Sequence, residues 1–298
     1  MPDSIDNKEH AQKLHEAACA LEHEGDGAEA IALYKQAIAA DPEKAESYYN
    51  IGLIYKYRND WPNSFAYNQR ANALDPDDEA ARWNMAIAAT ALRDWPTARQ
   101  AWRDQGITLE GEGPIENDFG HTPVRLNPDA ENAEVVWARR IDPVRARIEN
   151  IPMPSSGYRC GDVVLHDGAP VGYRMLGERE CSVFNVLEMF APSPLATFEL
   201  RINLASPQET ERLLETFLEA GLDAEDWTAS FQILCRQCSE GRPHEQHDDH
   251  VPKEEAPWQV RRHIGIGART QDQIEAVLQG WNGPGREGME LTCTLPAR

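Results

Sequence analysis

The stretch Asn59-Asp60-Trp61-Pro62 returns as Arg93-Asp94-Trp95-Pro96, and Asp41-Pro42 returns as Asp75-Pro76, each after 34 residues. A fixed period of this size marks stacked supersecondary units, none of which can bury its apolar face alone. Each unit reads as two amphipathic helices with a turn between them. In the first, Leu14, Ala17, Ala18 and Leu21 share a helical face, and Gly25-Asp26-Gly27 breaks the helix. Ala30, Tyr34 and Ala37 follow at helical spacing, and Pro42 closes the unit.

These offsets resemble the tetratricopeptide repeat (TPR) family. The second repeat fits through Tyr48, Ile51, Gly52, Tyr55, Ala71 and Pro76, with Ser64 and Asn68 where Ala and an aromatic are usual. The third fits through Met85, Ala86, Ala98 and Trp102 and lacks the closing Pro. The resemblance covers roughly residues 8–110, about the three repeats a continuous core needs. It implies an all-α solenoid over 1–110 whose first helices form a concave groove for a protein or peptide. The expected groove residues are His15, Tyr49, Leu53, Lys56, Tyr57, Trp83 and Ile87, with Cys19 beside His15. Repeats that clamp a C-terminal carboxylate carry Lys, Asn and Arg in this groove. His15 and Cys19 replace the first Lys/Asn pair, so that activity is not carried over. The alternative is that these aromatics pack on the following segment.

Beyond the repeats the pattern changes. Residues 111–152 read as a connector: Gly111-Glu-Gly-Pro114 and Phe119-Gly-His-Thr-Pro123 are loop chemistry, and Asp142-Pro143 suggests the start of a helical turn. Residues 153–195 read as a small antiparallel β segment with turns at Asp167-Gly168 and Gly177-Glu178. His166 beside Asp167 looks like a catalytic pair in isolation, but a turn accounts for the Asp-Gly.

Residues 196–298 carry one grammar twice. Thr197–Leu204 alternates, Ser206-Pro207-Gln208-Glu209 is a capping box, and Leu213, Leu214, Phe217 and Leu218 give the buried helix face. Thr228–Cys235 reads as the next strand. Trp258–Ile266, Thr270-Gln-Asp-Gln273 and Met289–Leu295 then repeat the plan, with Cys293 expected to face the core. The order βαββαβ is the ferredoxin-like, split-βαβ arrangement. The expected fold class is therefore multidomain: an α solenoid followed by an α+β region.

Between the two halves lies Cys235-x2-Cys238-x5-His244-x2-His247-x2-His250. Two thiolates and two of the three imidazoles suit a tetrahedral Zn²⁺ better than Mg²⁺ or Ca²⁺. No H-E-x-x-H helix surrounds them, so a structural zinc is the expectation. The alternative is a zinc-dependent hydrolase with an open site at His244 and His247 and Glu245 as base.

The net charge of -21 opposes broad binding to nucleic acid or anionic lipid and fits a basic protein partner. An RNA-binding module is a third, weaker reading. The polar start MPDSIDNKEH, the absence of any long apolar run and the scattered cysteines point to a cytoplasmic setting without a membrane span. The chain reads as an adaptor, one version of which is an inhibitor or regulator of a basic partner.

Overall fold

The computed structural model describes residues 2–130, 133–230 and 257–298. They divide into two compact units, 1–116 and 117–298.

The first unit is helical. α1 (Pro2–His23) and α2 (Gly27–Ala40), α3 (Ala45–Tyr57) and α4 (Trp61–Leu74), and α5 (Glu79–Ala91) and α6 (Trp95–Asp104) follow in order. The repeated tetrapeptide is the turn inside each pair. Asn59 and Arg93 adopt left-handed backbone, with φ of 56° and 61°, and so end α3 and α5. The following Asp is the N-cap: Asp60 accepts from Asn63 N at 3.3 Å and Asp94 from Thr97 N at 3.3 Å. Trp and Pro then open the next helix, where proline's missing N–H costs nothing. In the first repeat Gly25, with φ 89°, takes the left-handed place, and Asp26 is the cap, accepting from Glu29 N. Gly-Asp, Asn-Asp and Arg-Asp are thus one device at one period.

Inside the stack, Tyr34, Asn68 and Trp102 occupy equivalent positions and are fully buried. Asn68 departs from the aromatic rule because its site is hydrogen-bonded. Its amide donates to Ser64 O at 2.8 Å, while Ser64 Oγ donates to Gly52 O at 2.9 Å. A Cβ on Gly52 would lie 2.5 Å from Asn68 Nδ2, so α3 and α4 approach too closely for alanine there.

The second unit holds a closed five-stranded barrel and a four-stranded sheet. The barrel strands are β1 (His121–Leu126), β2 (Glu134–Arg140), β3 (Arg145–Ile148), β4 (Val163–Leu176) and β5 (Arg179–Ala191). Successive strands pair antiparallel, and β1 closes on β5 in parallel, with Val124 opposite Phe184. Three of these strands fall in 111–152, where the sequence reads as a connector. Asp142-Pro143 starts no helix: it is the tight β2–β3 turn, and the buried Asp142 accepts from Val144 N at 2.8 Å and from Arg145 N at 2.5 Å. Nor is Asp167-Gly168 a hairpin turn. β4 runs through it with register shifts around His166 and Pro170, so the pair forms a bulge, Asp167 Oδ1 accepting from Gly168 N at 2.7 Å.

The sheet strands are β6 (Ala196–Asn203), β7 (Asp223–Asp226), β8 (Arg261–Ala268) and β9 (Glu290–Leu295), in spatial order β7-β8-β6-β9 and antiparallel throughout. α7 (Pro207–Glu219) follows β6, the short α8 (Trp227–Ser230) follows β7, and α9 (Gln271–Gly280) follows β8. Phe198, Leu200, Ile202, Ile264 and Ile266 alternate onto one face and meet Leu213, Phe217, Ile274 and Leu278 of the two long helices. The strand after α7 is Asp223–Asp226 and not the expected Thr228–Cys235, of which Thr228–Ser230 belong to α8 and 231–235 lie outside the described residues; Gly221 ends the helix with φ 73° and Leu222 turns straight into the core. Cys293 is exposed on edge strand β9 and does not face the core.

The other face of the sheet packs partly on the barrel. Trp227 lies over Gly265, and its Nε1 donates to Ile151 O at 2.8 Å. Gly267 faces Ile151, Cys160 and Leu195. Glu225 accepts from Asn150 Nδ2 at 3.0 Å and from Ile151 N at 3.1 Å. Burial pushes the Cys160 thiol up to about 12, so it stays protonated at this joint.

Candidate functional site

The groove expected from the repeats is built by α1, α3 and α5. On α3, Ile51, Ile54 and Tyr55 enter the repeat core. Tyr49, Leu53 and Tyr57, four residues apart, line the other face. Tyr49 and Leu53 are half-buried and Tyr57 is 59% exposed. Lys56 is no open groove cation. It is 2% exposed, donates to Asn84 Oδ1 at 3.1 Å across the α3–α5 seam, and sits 4.5 Å from the Tyr57 ring centroid.

On α1, His15 Nδ1 lies 2.9 Å from Ser47 Oγ, and its ring centroid is 5.3 Å from that of Tyr34. Burial lowers the His15 pKa, and the nearby Lys44 charge adds to this, so the ring is neutral at neutral pH. One turn on, the buried Tyr34 hydroxyl donates to Glu22 Oε2 at 2.9 Å, lies 3.2 Å from Cys19 Sγ and accepts from Asn50 Nδ2 at 2.9 Å. This network ties α1, α2 and α3 together. Burial, with the Cys19 and Glu22 contacts, raises the Tyr34 pKa, which keeps the phenol a donor.

The third repeat differs from expectation. Asn84 to Thr90 are buried without a break, Ile87 completely. Trp83 is turned toward α6, with its ring 4.9 Å from Trp102 in edge-to-face geometry. The structure therefore brings Tyr49, Leu53 and Tyr57 together as one stripe, leaves His15 at the α1–α3 contact and removes Lys56 and Ile87 from the surface. Sequence periodicity puts Ile87 on the groove side, but the run Met85-Ala-Ile-Ala-Ala-Thr90 is apolar all round, which is the signature of an interior helix.

The Cys235, Cys238, His244, His247 and His250 cluster, with Glu245, lies outside the described residues. Among the described residues no group of three or more His, Cys, Asp or Glu side chains is placed to hold a metal ion. His166 is fully buried in the barrel, stacked 5.0 Å from Phe184, with Nδ1 2.7 Å from Asp167 O. Burial and the nearby Arg140 charge push its pKa down to about 4. A neutral imidazole sealed from solvent serves packing better than proton transfer. No helix among the described residues is long and apolar enough to cross a membrane.

A family model described as TPR repeat matches residues 23–59, the second helix of the first pair and the first helix of the second. No curated protein matches the chain. Among solved structures, the second TPR of Spaghetti (RPAP3), bound to the HSP90 peptide SRMEEVD, is similar at 24% identity and a TM-score of 0.32. The match covers 34% of this chain and 88% of that one.

Proposed function

We propose that the chain is an adaptor whose helical repeats bind a segment of another protein. The observation that carries this is the Tyr49–Leu53–Tyr57 stripe on α3, which stands outside the repeat's apolar cluster and ends in a tyrosine 59% exposed. Tyrosine presents a rigid, amphipathic contact area, which is why it is favoured at protein interfaces. The test is recovery of partners on the tagged full chain, compared with Tyr49→Ala/Tyr57→Ala. A protein held in near-stoichiometric amount by the wild type and lost from the variant supports the reading. Equal recovery on both refutes it.

The second unit belongs to the same reading as a further interaction module. The sheet order β7-β8-β6-β9, with α7 and α9 as crossovers, supports a ferredoxin-like description of residues 196–298. The Cys235–His250 segment enters between β7 and β8, and its ligand spacing supports a Zn²⁺ loop that clasps this module. A cytoplasmic setting suits free thiols of this kind. A basic partner suits the net charge of -21.

A further inference from the structure

α7 has a second face. Leu213 and Phe217 are buried in the sheet core, but Glu211, Leu214, Glu215 and Leu218 recur at i, i+3, i+4 and i+7 on its flank. Leu218 is 69% exposed and adds a large apolar side chain to this flank. This flank forms one wall of a cleft of about 550 Å³ between α7–β7 and the Glu149–Ile151 segment of the barrel. Leu222, Ala224 and Ile151 contribute apolar lining. Glu149, Glu211, Glu215, Asp223 and Glu225 supply carboxylates, and no Lys, Arg or His of the described residues lines it.

The cleft is held open by a built framework. Trp137 N donates to Asn150 Oδ1 at 2.6 Å, Asn150 Nδ2 and Ile151 N both donate to Glu225, and Trp227 Nε1 holds Ile151 O. Three of the carboxylates are engaged by this framework: Glu149 by His121 at 2.8 Å, Glu225 as described and Asp223 by the Cys160 thiol at 3.6 Å. Glu211 and Glu215 line the cleft from exposed positions on the helix flank. Arg212 lies next to them in the chain, but its guanidinium sits 5.4 Å from the Trp281 ring centroid, and among the described residues no ion pair engages either glutamate.

We propose that this cleft docks a basic, amphipathic segment of a partner protein: an apolar side chain against Leu214 and Leu218, flanked by Lys or Arg over Glu211 and Glu215. Charge complementarity selects this occupant. An acidic or neutral segment would bury Glu211 and Glu215 without compensation, and a second copy of a chain with net charge -21 would bring like charge to the contact. The proposal rests on reading the chain as a partner-binding protein but uses a surface separate from the α3 stripe.

The test is fluorescence anisotropy on the full chain. One probe is a labelled amphipathic peptide of Leu, Ala, Lys and Arg, and the other is its twin with Glu at every basic position. The basic probe is expected to bind, and Glu211→Gln/Glu215→Gln and Leu218→Ser are each expected to weaken it at least about tenfold. The charge-matched control Glu275→Gln/Glu287→Gln and the stripe variant Tyr49→Ala/Tyr57→Ala leave its affinity unchanged. All four substitution sets except that at Tyr49 lie on exposed side chains, so folding is retained and is checked by circular dichroism. Equal binding of the acidic twin overturns the proposal. So does an equal loss in the control, which would mean general charge attraction. Sedimentation showing a dimer that Leu218→Ser dissolves also overturns it, because the occupant is then a second copy. Loss on Tyr49→Ala/Tyr57→Ala alone would refute the cleft and leave the α3 reading standing.

Discussion

Gly265→Ala should loosen the joint between barrel and sheet. The backbone of Gly265 is not in the left-handed region, so alanine is excluded by space alone. Its Cβ would lie 2.2 Å from Trp227 Cε2 and 2.4 Å from Cζ2. Carbon atoms rest about 3.5–4.0 Å apart, so the indole must move by more than about 1 Å. That motion breaks the 2.8 Å bond from Nε1 to Ile151 O. Overpacking costs about 1–3 kcal/mol, and an orphaned buried N–H about 1–3 kcal/mol more. The stiffer unfolded chain returns about 0.4–1 kcal/mol. The net loss is about 1–5.6 kcal/mol, or roughly 2–22 °C in Tm for a unit of this size. Thermal unfolding followed by circular dichroism measures it. Gly280→Ala is the control, because nothing lies within 4 Å of its Cβ. In a Trp227→Ala background the cost of Gly265→Ala should fall close to zero, since the obstacle is gone. A Gly265→Ala protein as stable as the control, or a cost unchanged without Trp227, refutes the packing argument.

Two pH effects of opposite sign follow from buried titratable groups. His166 has a pKa of about 4 folded against 6.5 unfolded, so its contribution is intact above pH 6.5 and is lost as pH falls toward 4, by at most about 3 kcal/mol. His166→Phe should flatten the acid limb of a Tm-against-pH curve. Glu134, which accepts from Met153 N at 3.1 Å, is pushed up to about 7 by burial, with Glu225 adding to this. The folded state then holds its proton more tightly than the unfolded state, and stability falls as pH rises from about 4.5 to 7. Glu134→Gln should be more stable than wild type at pH 8 and not at pH 4, by urea titration. Asp60→Ala and Asp94→Ala should each lose about 1 kcal/mol through their N-caps, and additively, since they serve different turns. For the Cys/His segment, elemental analysis of wild type under reducing conditions should give stoichiometric zinc, and Cys235→Ser should lose it; metal-free wild type contradicts the zinc proposal.

The helical repeats were legible because their signal is local and periodic. The Asp-Trp-Pro turn repeats at a fixed interval, and each piece has one backbone role. The α+β grammar of β6, α7, β8, α9 and β9 was legible for the same reason: clean alternation, then a capping box. β7 was not, because Asp223-Ala-Glu-Asp226 has no strand propensity and is extended by its pairing with β8. β1 to β3 were hidden for a different reason. His121–Leu126 contains Pro123 and Arg125, and five of its six residues are buried, so no alternation shows. Barrel closure also pairs Val124 with Phe184, a contact 60 residues apart that no local pattern encodes. At the α3 stripe the spacing of Tyr49, Leu53 and Tyr57 was readable, but the burial of Lys56 depends on Asn84 across the seam. The α7 flank was misread in part, since Leu214 and Leu218 were both assigned to the core and Leu218 stands outside it.

The most direct test of partner binding by the repeats is hydrogen–deuterium exchange on the full chain, with and without a protein recovered on it. Protection is predicted over residues 45–57, strongest toward Tyr57, and should vanish with Tyr49→Ala/Tyr57→Ala. A bound partner that leaves 45–57 exchanging as in the free chain would contradict the account.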